Sequence, residues 1–166
     1  MRKRSVSALV ASAVMVVALS PLEHAAIAGQ APVQLGGVPV PDAPLSLAVK
    51  QIHIKPEGSE IRFAVTATAA KKISTYTVSA YWYPPRGKRH GFASSVQHPP
   101  AALSKDVVHE TSLQLPARAP IDVGTTVVLA VTAASFEDGT EWRPDPNRLT
   151  ESVNKAAQEL MAVGRQ

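Results

Sequence analysis

The densest set of ligand-gripping side chains in this 166-residue chain sits in one stretch, PPRGKRHGF. Arg86, Lys88, Arg89 and His90 fall within five positions, with Tyr81 and Tyr83 just before them and Phe92 just after. Cations interleaved with aromatic rings can hold an anionic sugar, a phosphate-bearing polymer or an acidic protein surface. A guanidinium takes up anionic oxygens in pairs, and a ring offers its face for stacking. Tyr81, Tyr83, Arg86, Lys88, Arg89 and His90 are therefore the candidate ligand-binding residues. The same composition also describes a solvated hairpin tip, whose like charges only keep it in water. Tyr81 and Tyr83 share one side of their strand. They form either a flat platform for a sugar or cover for a sheet surface, and the frequency of Tyr in strands favours cover.

Other chemistries find little to work with. There is no cysteine to act as nucleophile or soft metal ligand, and no G-x-S-x-G elbow. His53, His90, His98 and His109 include no pair at the i, i+4 spacing of a helical zinc site. A second stretch, SFEDGTEWRPDPN, groups Glu137, Asp138, Glu141, Asp145 and Asn147 as oxygen donors. Their spacing does not match an EF-hand loop, and Pro144 and Pro146 stiffen the approach. Asp138-Gly139 reads instead as a tight hairpin turn with exposed acidic flanks. No catalytic set, no metal set and no cofactor motif emerges, so the expectation is a protein without an enzymatic role.

The segments that must position these residues are short. MRKR, an apolar run and the small-residue exit AAIAGQ make a secretory signal cut after Ala28. The run is too short for a span of about 20 residues, so the mature chain is expected not to cross a membrane. Cleavage removes three basic residues and one acidic one, leaving 14 Lys and Arg against 12 Asp and Glu. A nearly neutral domain carries no electrostatic case for nucleic acid. Without cysteine an exported chain has no disulfide framework, and stability rests on core burial.

Residues 29–44 are rich in Pro and Gly and read as a lead-in, with a short edge strand around residues 33–35. Residues 45–146 alternate in the manner of strands. Ile61, Phe63, Val65 and Ala67 share one face, as do Tyr76, Val78, Ala80 and Trp82, and as do Val107, His109, Thr111 and Leu113. TVVLAVTAASF is apolar on both faces and suits a central strand. The last segment, 147–166, places Leu149, Val153, Ala156, Ala157, Leu160 and Met161 at helical spacing. Thr150 is its expected N-cap and Gly164 its stop. Its apolar stripe is expected to dock on its own domain. An oligomer formed through this helix ranks behind a monomer.

Many short strands between Gly/Pro turns predict an all-β sandwich of about seven strands with a C-terminal helix. The Trp82 strand and the ending VVLAVTAASFEDGTEW carry a resemblance. Residues 45–143 resemble the immunoglobulin-like modules of uncharacterised secreted bacterial proteins, though the inter-sheet cysteine pair of antibody domains is absent. The resemblance implies an architecture and lends no catalytic residues. The functional expectation is an exported binding module of the envelope or the extracellular space, with an unidentified protein or an anionic glycan as partner. A small-ligand or metal carrier ranks second, and a hydrolase with a scattered site third. The sequence leaves open whether segments 81–92 and 137–147 lie at the same end of the sandwich.

Overall fold

The fold was read from a computed structural model, which describes residues 33–164 except 56, 86–90, 118 and 120. The expected leader, 1–28, and the loop residues Arg86, Lys88, Arg89 and His90 lie outside the described residues.

Eight strands and one helix follow one another: β1 Gln34–Gly37, β2 Leu45–His53, β3 Glu60–Ala67, β4 Ile73–Tyr83, β5 Gly91–Gln97, β6 Val108–Gln114, β7 Thr126–Phe136, β8 Glu141–Trp142 and α1 Pro146–Val163. They form two sheets. One has the order β1-β7-β4-β5, with β8 also on β7; the other has the order β2-β3-β6. All pairings are antiparallel except β1 with β7, which is parallel.

The period-2 pattern explains why the sheets face one another. Ile61, Phe63, Val65 and Ala67 of β3 are no more than 1% exposed. They share one cluster with Tyr76, Val78, Ala80 and Trp82 of β4, Leu113 of β6, and Val127, Leu129 and Val131 of β7. Each Val, Leu, Ile or Phe side chain so withdrawn from water contributes about 1.5–3 kcal/mol. Tyr76 carries a hydroxyl into this core, and its oxygen lies 2.8 Å from His109 Nδ1 on the facing sheet. Burial raises the Tyr76 phenol well above its ordinary range.

β7 is apolar on both sides because it is covered on both sides. Val128 and Ala130 point away from the second sheet and join Val38, Val40 and Tyr83 beneath Val153 and Ala157 of α1. The architecture is thus three layers: helix, five-stranded sheet, three-stranded sheet. The apolar stripe of α1 rests on the domain's own sheet.

The helix begins earlier than the spacing predicts. Asp145, not Thr150, is the N-cap: its side chain accepts from the backbone N–H groups of Asn147 and Arg148, each at 3.0 Å. Pro146 occupies the first turn, where a missing N–H costs nothing. Thr150 donates back to the Pro146 carbonyl at 2.8 Å.

Residues 34–43, grouped with the lead-in on composition, supply a full strand and two core residues. β1 threads between α1 and β2. A Cβ on Gly36 would meet Leu160 Cδ1 at 2.6 Å, and one on Gly37 would meet the Leu47 carbonyl oxygen at 2.8 Å. Glycine here is a condition of close approach.

Candidate binding surface

α1 covers the β1–β7 side of the five-stranded sheet's outer face and reaches the end of β4 at Tyr83. The β4–β5 side carries three cross-strand pairs on that face: Tyr81 with Phe92, Ser79 with Ser94, and Thr77 with Val96. Tyr81 and Phe92 stack, with ring centroids 6.1 Å apart and planes inclined by 28°. Phe92 is 62% exposed and Val96 55%. A hydroxyl row lies between them: Ser79 Oγ is 2.7 Å from Ser94 Oγ and 3.0 Å from Thr132 Oγ1.

The two tyrosines of the candidate set part company here. Tyr81 is half-buried and stacks on Phe92. Tyr83 is 3% exposed, lies beneath α1 and donates to Asn154 Oδ1 at 3.1 Å. A platform built from Tyr81 and Tyr83 together is therefore corrected. The helix covers one ring, and Phe92 from β5 replaces it as Tyr81's neighbour. In sequence, Arg86, Lys88, Arg89 and His90 fall between β4 and β5, the two strands that carry this aromatic pair.

The acidic stretch lies at the other end of the sandwich. In the β4–β7 ladder Ile73 pairs with Phe136 and Tyr83 with Thr126. The hairpin after Phe136 and the loop after Tyr83 are thus separated by the 11 residues of β4, roughly 35 Å at strand rise. The turn is closed by Phe136 N to Thr140 O at 2.9 Å and Gly139 N to Phe136 O at 3.0 Å. Gly139 takes φ +80°, a conformation that glycine accepts without a Cβ penalty.

Each carboxylate of this stretch already has a partner. Lys71 Nζ sits 2.7 Å from Asp138 Oδ2, Lys72 3.7 Å from Glu137, and Arg143 3.4 Å from Glu141, while Asp145 caps α1. The Lys71 hydrogen bond, then those from the Thr140 hydroxyl and N–H, hold the Asp138 carboxyl far below the usual carboxylate range. Among the described residues no group of three or more His, Cys, Asp or Glu is placed to share a metal ion. His109 is engaged with Tyr76 and His53 with Gln51.

A second surface lies on the outer face of β2-β3-β6, a depression of about 570 Å³ lined by Lys50, Glu60, Arg62, Glu110 and Ser112. Glu60 lies 3.6 Å from Lys55 and 3.7 Å from Arg62. A hydrogen bond with Ser112, aided by these cations, holds its carboxyl below the ordinary range. Charge here alternates in sign and favours no one ligand class. No helix among the described residues is long and apolar enough to cross a membrane.

No protein-family model matches the chain, and no curated protein matches it. The solved structures that are similar in part include two at low identity. One is the Salmonella enterica trimeric lipoprotein SadB, at 14% identity and a TM-score of 0.38, covering 52% of this chain and 50% of that one. The other is a hypothetical protein from Peptoclostridium difficile 630, at 12% identity and a TM-score of 0.47, covering 67% of this chain and 92% of that one. The chain thus spans half the length of the first and most of the second.

Proposed function

We propose that the chain is an exported, non-catalytic binding module of immunoglobulin-like architecture, whose contact surface is the β4–β5 end with its basic loop. Strand order supports the architecture. The sheets β2-β3-β6 and β5-β4-β7-β8 follow the A-B-E and C′-C-F-G orders of immunoglobulin-like sandwiches, with the buried Trp82 on the strand equivalent to C. β1 occupies the edge of β7 that the two-residue β8 leaves open.

The observation that carries the function is the exposed Phe92 stacked on Tyr81, on the two strands that the Arg86–Lys88–Arg89 loop connects. Rings and cations close together in sequence suit an anionic ligand, and a hairpin on a rigid sandwich is a common contact point. The ligand class is an anionic glycan or an acidic protein surface. The proposed leader would deliver this surface outside the cytoplasm.

Retention on a sulfated polysaccharide matrix at low salt tests the reading. The wild type is expected to bind and to elute with salt. The triple variant R86S/K88S/R89S is expected in the flow-through, and F92A at lower salt than the wild type. Retention of both variants at the wild-type salt would sink the proposal.

A further inference from the structure

The two sheets have edges, and most are protected. β2 carries Lys50 and a bulge between Val49 and Gln51. β6 carries His109 and Glu110. β1 is packed against Leu160 of α1, and β8 is two residues long with Pro144 close behind. β5 has none of these devices. Its seven residues, GFASSVQ, include no charge and no proline. Among the described residues no backbone hydrogen bond reaches it from the side away from β4. A flat, uncharged edge strand is a template for another strand.

We propose that β5 pairs with β5 of a second copy of this chain, antiparallel about a twofold axis through Ser94. The strand is complementary to itself in this register. Phe92 of each copy lies opposite Val96 of the other, so the two most exposed apolar residues of β5 cover one another. Ser94 meets Ser94, and the hydroxyl row Thr132–Ser79–Ser94 continues across the axis into its mirror sequence. Gly91 faces Gln97, and Ala93 faces Ser95. All seven residues are used, and the absence of charge from β5 means that no like charges meet within the ladder. Opposed apolar and hydroxyl pairs of this kind each contribute to sheet pairing. The two five-stranded sheets become one, and the twofold places the Gly91 ends of the two strands at opposite ends of the new ladder. A partner of different sequence would need to match this spacing; a second copy matches it by symmetry.

The chain contains no cysteine, so introduced ones report directly. Directly opposed residues of an antiparallel pair have Cα atoms about 4.5–5.5 Å apart, within the reach of a disulfide. In this register S94C faces itself. F92C and V96C are each offset from their own copies by roughly 13 Å along the strand. Under mild oxidation S94C is expected to give a covalent dimer, F92C and V96C alone to stay monomeric, and the double variant F92C/V96C to crosslink. The double variant supplies the readout if S94C fails to fold. Light scattering of the wild type is expected to rise from monomer toward dimer mass with concentration. R86S/K88S/R89S is expected to keep this dimer, so failure of the loop reading and failure of this one are separable. Equal crosslinking of S94C, F92C and V96C, or a monomer mass at every concentration, would overturn the proposal.

Discussion

Replacing Val153 by Ala asks whether α1 is part of the fold or an appendage, and the sign of the effect decides. Val153 is 2% exposed and lies against Val128 and Ala130 of β7 within one cluster. Removing its two methyl groups loses about 0.8 kcal/mol for each in transfer energy. The vacated space, near 50 Å³, adds about 1 kcal/mol if neighbours do not close in. Alanine is the better helix former, which returns about 0.5 kcal/mol. The net loss is about 2 kcal/mol. At about 4 °C per kcal/mol for a domain of this size, the melting temperature should fall by roughly 8 °C. A helix free in solvent would respond only to propensity, and V153A would then raise helicity and leave melting unchanged or higher. Differential scanning calorimetry beside circular dichroism separates the two. Lys155→Ala, an exposed position on the same helix, serves as control and should stay within about 0.5 kcal/mol of the wild type. A V153A protein that melts at or above the wild type would refute the docking energetics.

Two further outcomes follow from local geometry. Gly37→Ala pushes a methyl toward the Leu47 backbone oxygen, whereas Gly36→Ala meets the rotatable end of Leu160, so urea denaturation should show G37A as the more destabilised of the two. The Asp138 carboxyl, lowered first by Lys71 and then by Thr140, binds its proton less tightly folded than unfolded. Its contribution is therefore present above the ordinary Asp range and is lost as pH falls toward the lowered value. Carboxyl-carbon NMR should find it titrating below the ordinary Asp range. In K71A its titration should move up but stay below the ordinary range, because Thr140 still donates twice; an unmoved titration would remove Lys71 from the account.

Much of the sandwich was legible because burial enforces alternation. The inward sets of β3 and β4 are the ones that the period-2 pattern selects, and the two-sided apolarity of β7 reports its place between helix and second sheet. β5 was not read as a strand. Small polar residues fill GFASSVQ, an edge strand with one bare face needs few apolar side chains, and the basic loop before it masks its start. Only its alternation of Phe92, Ser94 and Val96 carries the signal. The parallel pairing of β1 was out of reach, since its partner lies some ninety residues onward and nothing local specifies direction. Pro146 reads as a helix breaker unless Asp145 is taken as the cap that makes it a first-turn residue. At the candidate site, alternation puts Tyr81 and Tyr83 on the same face, but only the placement of α1 shows that Tyr83 is the ring it buries.

The parallel strand β1 also sets an order of events. It cannot find its edge until β7 exists, and α1, made last, closes over both. A chain emerging from its amino end must hold residues 34–43 unpaired while nearly all of the domain follows. The sheet's final seam is thus sewn by the two ends of the fold, with Gln34 packed beside Gly164. Assembly is therefore weighted toward contacts distant in sequence, which slows folding. Loss of β1, or of the last turn of α1, would open the same seam.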